Sequence, residues 1–140
     1  QKYINMIISE TPYNDVLQLR KEVMYPEQDI DFVKLSDDNQ GLHMGVYENG
    51  ELMTVMSIFL KDRKIQFRKL ATRKDAQRKG YASAIMQWLI DYTKDMKFET
   101  LWCNARVDAA DFYKKFDFQE TDTRFEKNGH TYVVMERIFE

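Results

Sequence analysis

The chain has 140 residues, 44% hydrophobic and 14% aromatic, with 21 Lys and Arg against 23 Asp and Glu. That is enough apolar material for the core of one domain over residues 1–140; two prolines and five glycines exclude a linker-rich or disordered chain. A slightly acidic balance argues against a general nucleic-acid binder, and the single cysteine, Cys103, excludes an internal disulfide framework and fits a reducing compartment. No apolar run is long enough to cross a membrane and the first residues lack the shape of a signal peptide, so the expectation is a soluble cytoplasmic protein.

In chain order, "TPYNDVLQLRKEVMYP" predicts a helix, with Thr11 as its cap, Pro12 at its first position and Pro26 as its stop. Val16, Leu19 and Val23 fall on one face. Residues 27–41 are acidic and mixed and read as a loop with room for a short helix. Residues 42–72 read as three antiparallel strands, turned at Asn49-Gly50 and at Lys61–Arg63. Residues 79–96 carry Ala82, Ile85, Met86, Leu89, Ile90, Thr93 and Met96 at helical spacing. "FETLWCNA" reads as a strand parallel to the third of the meander, because a strand–helix–strand unit favours that crossover. Asp108 is the expected cap of a helix "AADFYKKF", and "RFEKNGHTYVVMERIF" reads as a hairpin on Asn128-Gly129. The sum is an α+β domain with a mixed sheet.

Residues 73–79, "RKDAQRK", pose a question of charge. The start of a helix already carries free N–H groups and the positive end of the dipole, and here two more cations, Arg78 and Lys79, stand before Gly80. An anion such as phosphate would make that favourable, and Gly80 would let it approach the backbone. The competing reading is a solvated basic turn. Neither a nucleoside-triphosphatase P-loop nor a dinucleotide Gly-x-Gly-x-x-Gly is present.

Gln77-Arg78-Lys79-Gly80-Tyr81-Ala82 resembles the Gln/Arg-x-x-Gly-x-Gly/Ala signature of the GNAT superfamily of N-acetyltransferases. Ala109, Phe112, Tyr113 and Phe118 in "ARVDAADFYKKFDF" resemble that family's second motif, and the likeness runs from roughly residue 3 to residue 138. Arg106 and Asp117 depart from it, standing where many members have Asn and Gly. An aspartate at a helix end that prefers positive φ carries modest strain. The resemblance implies a mixed, mostly antiparallel central sheet with helices on both faces and a V-shaped split between "RKLAT" and "LWCNA". It implies acetyl-CoA as acetyl donor, its pyrophosphate against Gln77, Arg78, Lys79, Gly80, Tyr81, Ala82 and Ser83. The pantetheine arm would pair with the main chain of Leu70, Ala71 and Thr72, with Asn104, Arg106 and Phe112 as further contacts; for Arg106 the alternative is bracing the turn.

The reaction so implied is acetyl transfer to a primary amine of a small molecule or peptide, by direct attack in a ternary complex. The rival is a non-catalytic CoA-sensing or protein-interaction domain on the same fold. An amine with a pKa near 10.4 is mostly protonated at neutral pH, which costs its reactive form about 4–5 kcal/mol, so a base or a water chain to one is expected. The resemblance makes Tyr113 the candidate acid for the departing thiolate, against a purely packing role. His43 is one candidate base, against a histidine satisfied on a sheet surface; His130, in a tight turn, and a water relay are others. Cys103 reads as a buried structural thiol rather than a nucleophile. Glu27, Asp29, Asp31, Asp37 and Asp38 lie in the region that shapes the family's acceptor site, where they would suit a cationic amine or remain solvated loop charge. No metal site is expected, since two distant histidines and one cysteine form no ligand cluster. Residues 131–138 are expected as an exposed final strand able to pair two subunits in a homodimer.

Overall fold

The computed structural model describes residues 5–139, so residues 1–4 and 140 of the expected single domain lie outside it. Among the described residues the elements are β1 (Met6–Glu10), α1 (Tyr13–Met24), β2 (Leu42–Glu48), β3 (Glu51–Lys61), β4 (Lys64–Thr72), α2 (Tyr81–Asp95), β5 (Thr100–Arg106), α3 (Ala110–Lys114), β6 (Gln119–Lys127) and β7 (His130–Ile138). One seven-stranded sheet runs in the order β1-β2-β3-β4-β5-β7-β6, antiparallel at every pairing except the parallel β4–β5.

The three short reversals follow from positive φ. Asn49-Gly50 and Asn128-Gly129 adopt it, as two-residue hairpins require, and Asp62 and Arg63 do the same without a glycine. Alternating side chains then divide the sheet into two faces. On one, Val55 and Ala71 meet Val16 and Leu19 of α1. On the other, Met56, Ile58, Ile65 and Phe67 meet Ile85, Met86, Leu89 and Ile90 of α2, joined by Ala110 of α3. Each of these apolar side chains on α2 is 2% exposed or less, and burial of that kind stabilises by roughly 1.5–3 kcal/mol per side chain.

Four expectations need correction, and β1 comes in addition to the expected elements. Met6–Glu10 is a strand that precedes the first helix; it pairs along β2, and the pairing runs on to Thr11 N–H, which donates to His43 C=O at 2.9 Å. Thr11 is therefore held to the sheet and does not cap α1: its hydroxyl donates to Ser9 C=O and accepts from Tyr47, while Pro12 takes the cap position. Asp108 does not cap the helix after β5, because Val107–Ala109 winds as a 3₁₀ turn and the Asp108 carboxylate pairs with Arg106 at 3.3 Å. The last hairpin begins at Gln119, five residues earlier than its apolar pattern indicates, since Gln119–Thr123 is polar edge strand. Finally, residues 131–138 are not at an edge: β7 lies between β5 and β6 and both of its sides are paired, so the homodimer expected through it loses its basis. Asp117 does adopt positive φ, at 67°.

Candidate active site

The site begins where β4 and β5 stop pairing. Their register covers Lys64 opposite Thr100, Ile65 opposite Leu101 and Gln66 opposite Trp102, and ends there. β4 stays with β3 to Thr72, and β5 stays with β7 to Arg106, so the two halves of the sheet splay apart in a V. From Phe67 onward the edge of β4 that faces the split has no strand partner among the described residues. A bulge interrupts the ladder on the other edge, with β3: Arg68 pairs with Ser57 and Ala71 with Val55, leaving Lys69 and Leu70 opposite Met56 alone. Lys69 has a φ of 57°. The bulge turns Lys69 and Leu70 towards the split while Ala71 rejoins the face packed on α1.

The chain next reaches α2 through a 3₁₀ turn, Lys74–Ala76, and a loop with two residues of positive φ, Arg78 at 64° and Gly80 at 92°. Gly80 is the cap residue of α2; no side chain caps the helix and its first turn holds no acid. With no side chain capping them, N–H groups of this first turn can meet an anion, and the dipole adds positive potential. Several side chains here serve the protein. Arg73 pairs with Asp75 at 2.8 Å and Glu51 at 3.3 Å, the Gln77 amide donates to Thr72 C=O at 3.2 Å, and the buried Tyr81 donates to Glu48 at 3.3 Å. Ser83 is exposed and Ala82 half-buried. The loop therefore offers an anion its backbone first and its exposed cations second. These features fit the pyrophosphate group of acetyl-CoA.

Inside the split lies a cleft of about 740 Å³. Leu70, Asn104, Arg106 and Tyr113 line it; Ala71, Thr72, residues 77–83, Phe112 and His43 do not. Phe112 packs edge-on to Tyr113 and Phe116 at the margin of the core. Tyr113 sits with its ring 5.6 Å from Phe67, and its hydroxyl makes no hydrogen bond among the described residues. Burial, with a smaller contribution from Cys103, pushes its phenol well above the usual range, so it is held protonated. Cys103 also lines the cleft, and burial pushes its thiol up to about 12, which keeps it neutral and poorly nucleophilic.

The rest of the lining comes from three segments, one of them the strap of residues 26–41. The end of α1 gives Val23, Met24 and Tyr25, the strap after it gives Phe32, Lys34 and Leu35, and the β6–β7 hairpin gives Phe125, Lys127, Asn128, His130 and Tyr132. A buried network fixes the strap. Arg20, wholly buried, binds Asp38 at 2.8 and 3.0 Å and also donates to Val33 C=O and the Ser57 hydroxyl. Tyr13 donates to Asp38 at 2.6 Å. His43 meets Ser57 through Nδ1 at 2.6 Å and Asp38 C=O through Nε2 at 2.9 Å, so both ring nitrogens are engaged and the ring lies outside the cleft.

The acidic stretch is absorbed by the same strap. Asp29 caps its 3₁₀ turn, Asp31 pairs with Lys34, Asp37 with Arg68, and Asp38 with Arg20. Among the described residues that line the cleft there is no carboxylate. Sequence reading missed Tyr25, Lys69, Lys127 and Tyr132. For Lys69 a signal existed: Ile65 and Phe67 alternate inward, then Lys69 stands where the next apolar residue is due and Leu70 resumes the pattern.

Residues 12–139 match the family model described as the acetyltransferase (GNAT) domain. YitI of Bacillus subtilis (strain 168), an N-acetyltransferase described as uncharacterized, is 22% identical over 131 residues, covering 86% of this chain and 88% of that protein. Among solved structures, the ribosomal-protein-S18-alanine N-acetyltransferase of Escherichia coli superposes with a TM-score of 0.77 at 17% identity, over 94% of this chain and 92% of that one. A GNAT family acetyltransferase of Elizabethkingia anophelis, solved with acetyl-CoA bound, gives 0.73 at 15% identity, over 97% and 99%. With the split sheet and the uncapped helix after β4, the match over residues 12–139 means that the chain belongs to the GNAT acetyltransferase family.

Proposed function

We propose that this protein transfers an acetyl group from acetyl-CoA to a primary amine of a small molecule or peptide, by direct attack within a ternary complex. The observation that carries this reading is the succession, along the chain, of a β4 edge without a strand partner among the described residues and a helix N-terminus that no side chain caps. The main chain of Leu70, Ala71 and Thr72 would bind the pantetheine arm, and the N–H groups at the start of α2, aided by Arg78 and Lys79, its pyrophosphate. Acetyl-CoA supplies an activated thioester. The protonated Tyr113 hydroxyl, free of internal partners, can give its proton to the departing sulfur. Asn104 and Arg106 line the facing strand, Arg106 braced by Asp108.

The amine must lose a proton, and no carboxylate lines the cleft to take it. His43 lies outside the cleft with both ring nitrogens engaged, so the base in this reading is His130, which lines the cleft, or a water relay. The lack of a carboxylate base is also the observation that favours the second reading, a non-catalytic CoA sensor. A thiol-release assay with acetyl-CoA across a panel of amines, beside calorimetric binding of acetyl-CoA, separates the two. Release above the hydrolytic background with any amine supports the transferase. Binding without release on the whole panel supports the sensor, and absence of binding overturns both.

A further inference from the structure

We propose that the amine accepted by this cleft carries its own carboxylate, as an amino acid does, and that the acid group sits between Lys69 on β4 and Lys127 on the β6–β7 hairpin. This rests on the transferase reading above and narrows it to a substrate class.

The argument starts from the charges. Lys34, Arg68, Lys69, Arg106 and Lys127 line the cleft, and no carboxylate does so among the described residues. The chain as a whole has a net charge of −2, so this is a local concentration rather than general basicity. Three of the five are neutralised from outside the cleft: Lys34 by Asp31 at 2.9 Å, Arg68 by Asp37 at 3.1 Å and Arg106 by Asp108 at 3.3 Å. Lys69 and Lys127 have no carboxylate at ion-pair distance among the described residues.

Lys69 is the more telling of the two. It is half-buried, its ammonium stands 5.7 Å from the Tyr25 ring centre, and its φ of 57° is one that lysine rarely adopts. Burial, then the like charges of Arg20, Arg68 and Lys127, depress its pKa, with Asp38 pulling the other way. The Tyr25 ring offsets part of the cost of that half-buried charge, and a carboxylate arriving beside it would offset more. The donor's phosphates do not meet that need, because none of residues 71–83 lines the cleft. A diamine or polyamine would meet only positive charge there. The rings of Tyr25, Phe32, Phe125 and Tyr132 lower the local polarity, which strengthens a charge-assisted bond to a carboxylate.

The test uses matched pairs in which only the carboxylate differs: phenylalanine with phenethylamine, and lysine with cadaverine. The full chain is assayed with saturating acetyl-CoA, and the ratio of kcat/KM within each pair is read. We expect the acid to be preferred by about 10- to 100-fold, the range for a charge-assisted bond. In Lys69→Met, and separately in the exposed Lys127→Met, that ratio should fall by about tenfold. Lys127→Met keeps the test valid if the bulge does not tolerate methionine. Turnover with no preference, or with the decarboxylated amine favoured, overturns the inference and leaves the transferase reading standing. If no amine turns over, calorimetry of the CoA-loaded protein with N-acetylphenylalanine and N-acetylphenethylamine decides. Selective binding of the acid, lost in the lysine variants, upholds the carboxylate site while the transferase reading falls; equal binding or none overturns the inference.

Discussion

Two parts of the site are made of different material. From the free edge of β4 to the start of α2 the groups offered to a ligand are mainly main chain, with the Lys69 side chain as the exception: a strand edge without a partner, a bulge and the first N–H groups of a helix that no side chain caps. In the rest of the cleft they are side chains from α1, the strap and the β6–β7 hairpin, up to about a hundred residues apart in sequence, with the strap held to α1 by a buried Arg20–Asp38 pair. A backbone surface tolerates almost any side chain that permits its φ and ψ, so it can persist while the sequence around it changes. A surface of side chains changes with each substitution, so it is the place to encode which acceptor is taken.

The sharpest break of this comparison is Asp38→Ala. It strands the Arg20 guanidinium in a wholly buried position, where Nε already lacks a partner, and takes the acceptor from Tyr13 and the Leu35 N–H. A loss of about 3–5 kcal/mol in urea unfolding is expected. If the two parts are separate, the folded fraction should still bind acetyl-CoA with near wild-type affinity; an affinity loss as large as the stability loss would show that they are one unit. The converse break is Gly80→Asp, which puts a side chain and a negative charge at φ 92° on the helix cap. Calorimetric affinity for acetyl-CoA should fall by about 100-fold or more, from strain and like-charge repulsion together. Unfolding stability should drop far less than in Asp38→Ala, and affinity within a few-fold of wild type would sink the phosphate-loop assignment.

That division of material also explains what could be read from the sequence. The turn at Asn49-Gly50, the spacing of Ile85, Met86, Leu89 and Ile90, and Gly80 before them are local signals, each tied to one backbone requirement. They suffice for the meander, α2 and the family's first motif. The polar five residues before Arg124 carry no apolar alternation, because β6 is an edge strand exposed on nearly all its length. The placement of β7 inside the sheet depends on which strand outcompetes another for β5, a long-range choice with no local mark. Asp38 looked like one of several loop acids; only folding brings Arg20, eighteen residues away, beneath it.

Tyr113→Phe probes the boundary between the two parts. The ring and its contacts with Phe67 and Phe118 stay, and one hydroxyl is lost. If that hydroxyl protonates the thiolate, kcat should fall by about 10- to 100-fold, at the low end for a positioned acid because a thiol of pKa near 8.5 leaves fairly well unaided. The KM for acetyl-CoA and the melting temperature should hold. An unchanged kcat together with an unchanged pH profile would leave Tyr113 as packing alone.

The smallest effect is a pH dependence confined to the strap. Burial alone would raise the Asp38 carboxyl; hydrogen bonds from Arg20, Tyr13 and the Leu35 N–H, with the charge of Arg20, outweigh it and hold the group at about 2. Its ordinary value is 3.8, so the folded state binds this proton less readily than the unfolded one. The resulting stabilisation is complete above pH 4 and is lost as pH falls from there towards 2, an effect of about 2 kcal/mol. At the other end of the same contact, burial and then the hydrogen bond to Asp38 push the Tyr13 phenol up to about 12, so its contribution is present below pH 10 and fades above it. Urea midpoints for the wild type and Asp38→Asn, measured from pH 2 to pH 7, isolate the acid limb from the other carboxylates. The two curves should converge as pH drops below 4, because protonation already makes wild-type Asp38 resemble the neutral amide. Curves that stay parallel over that range would mean that Asp38 titrates as an ordinary surface acid, and the buried pair would lose its claim to hold the strap in place.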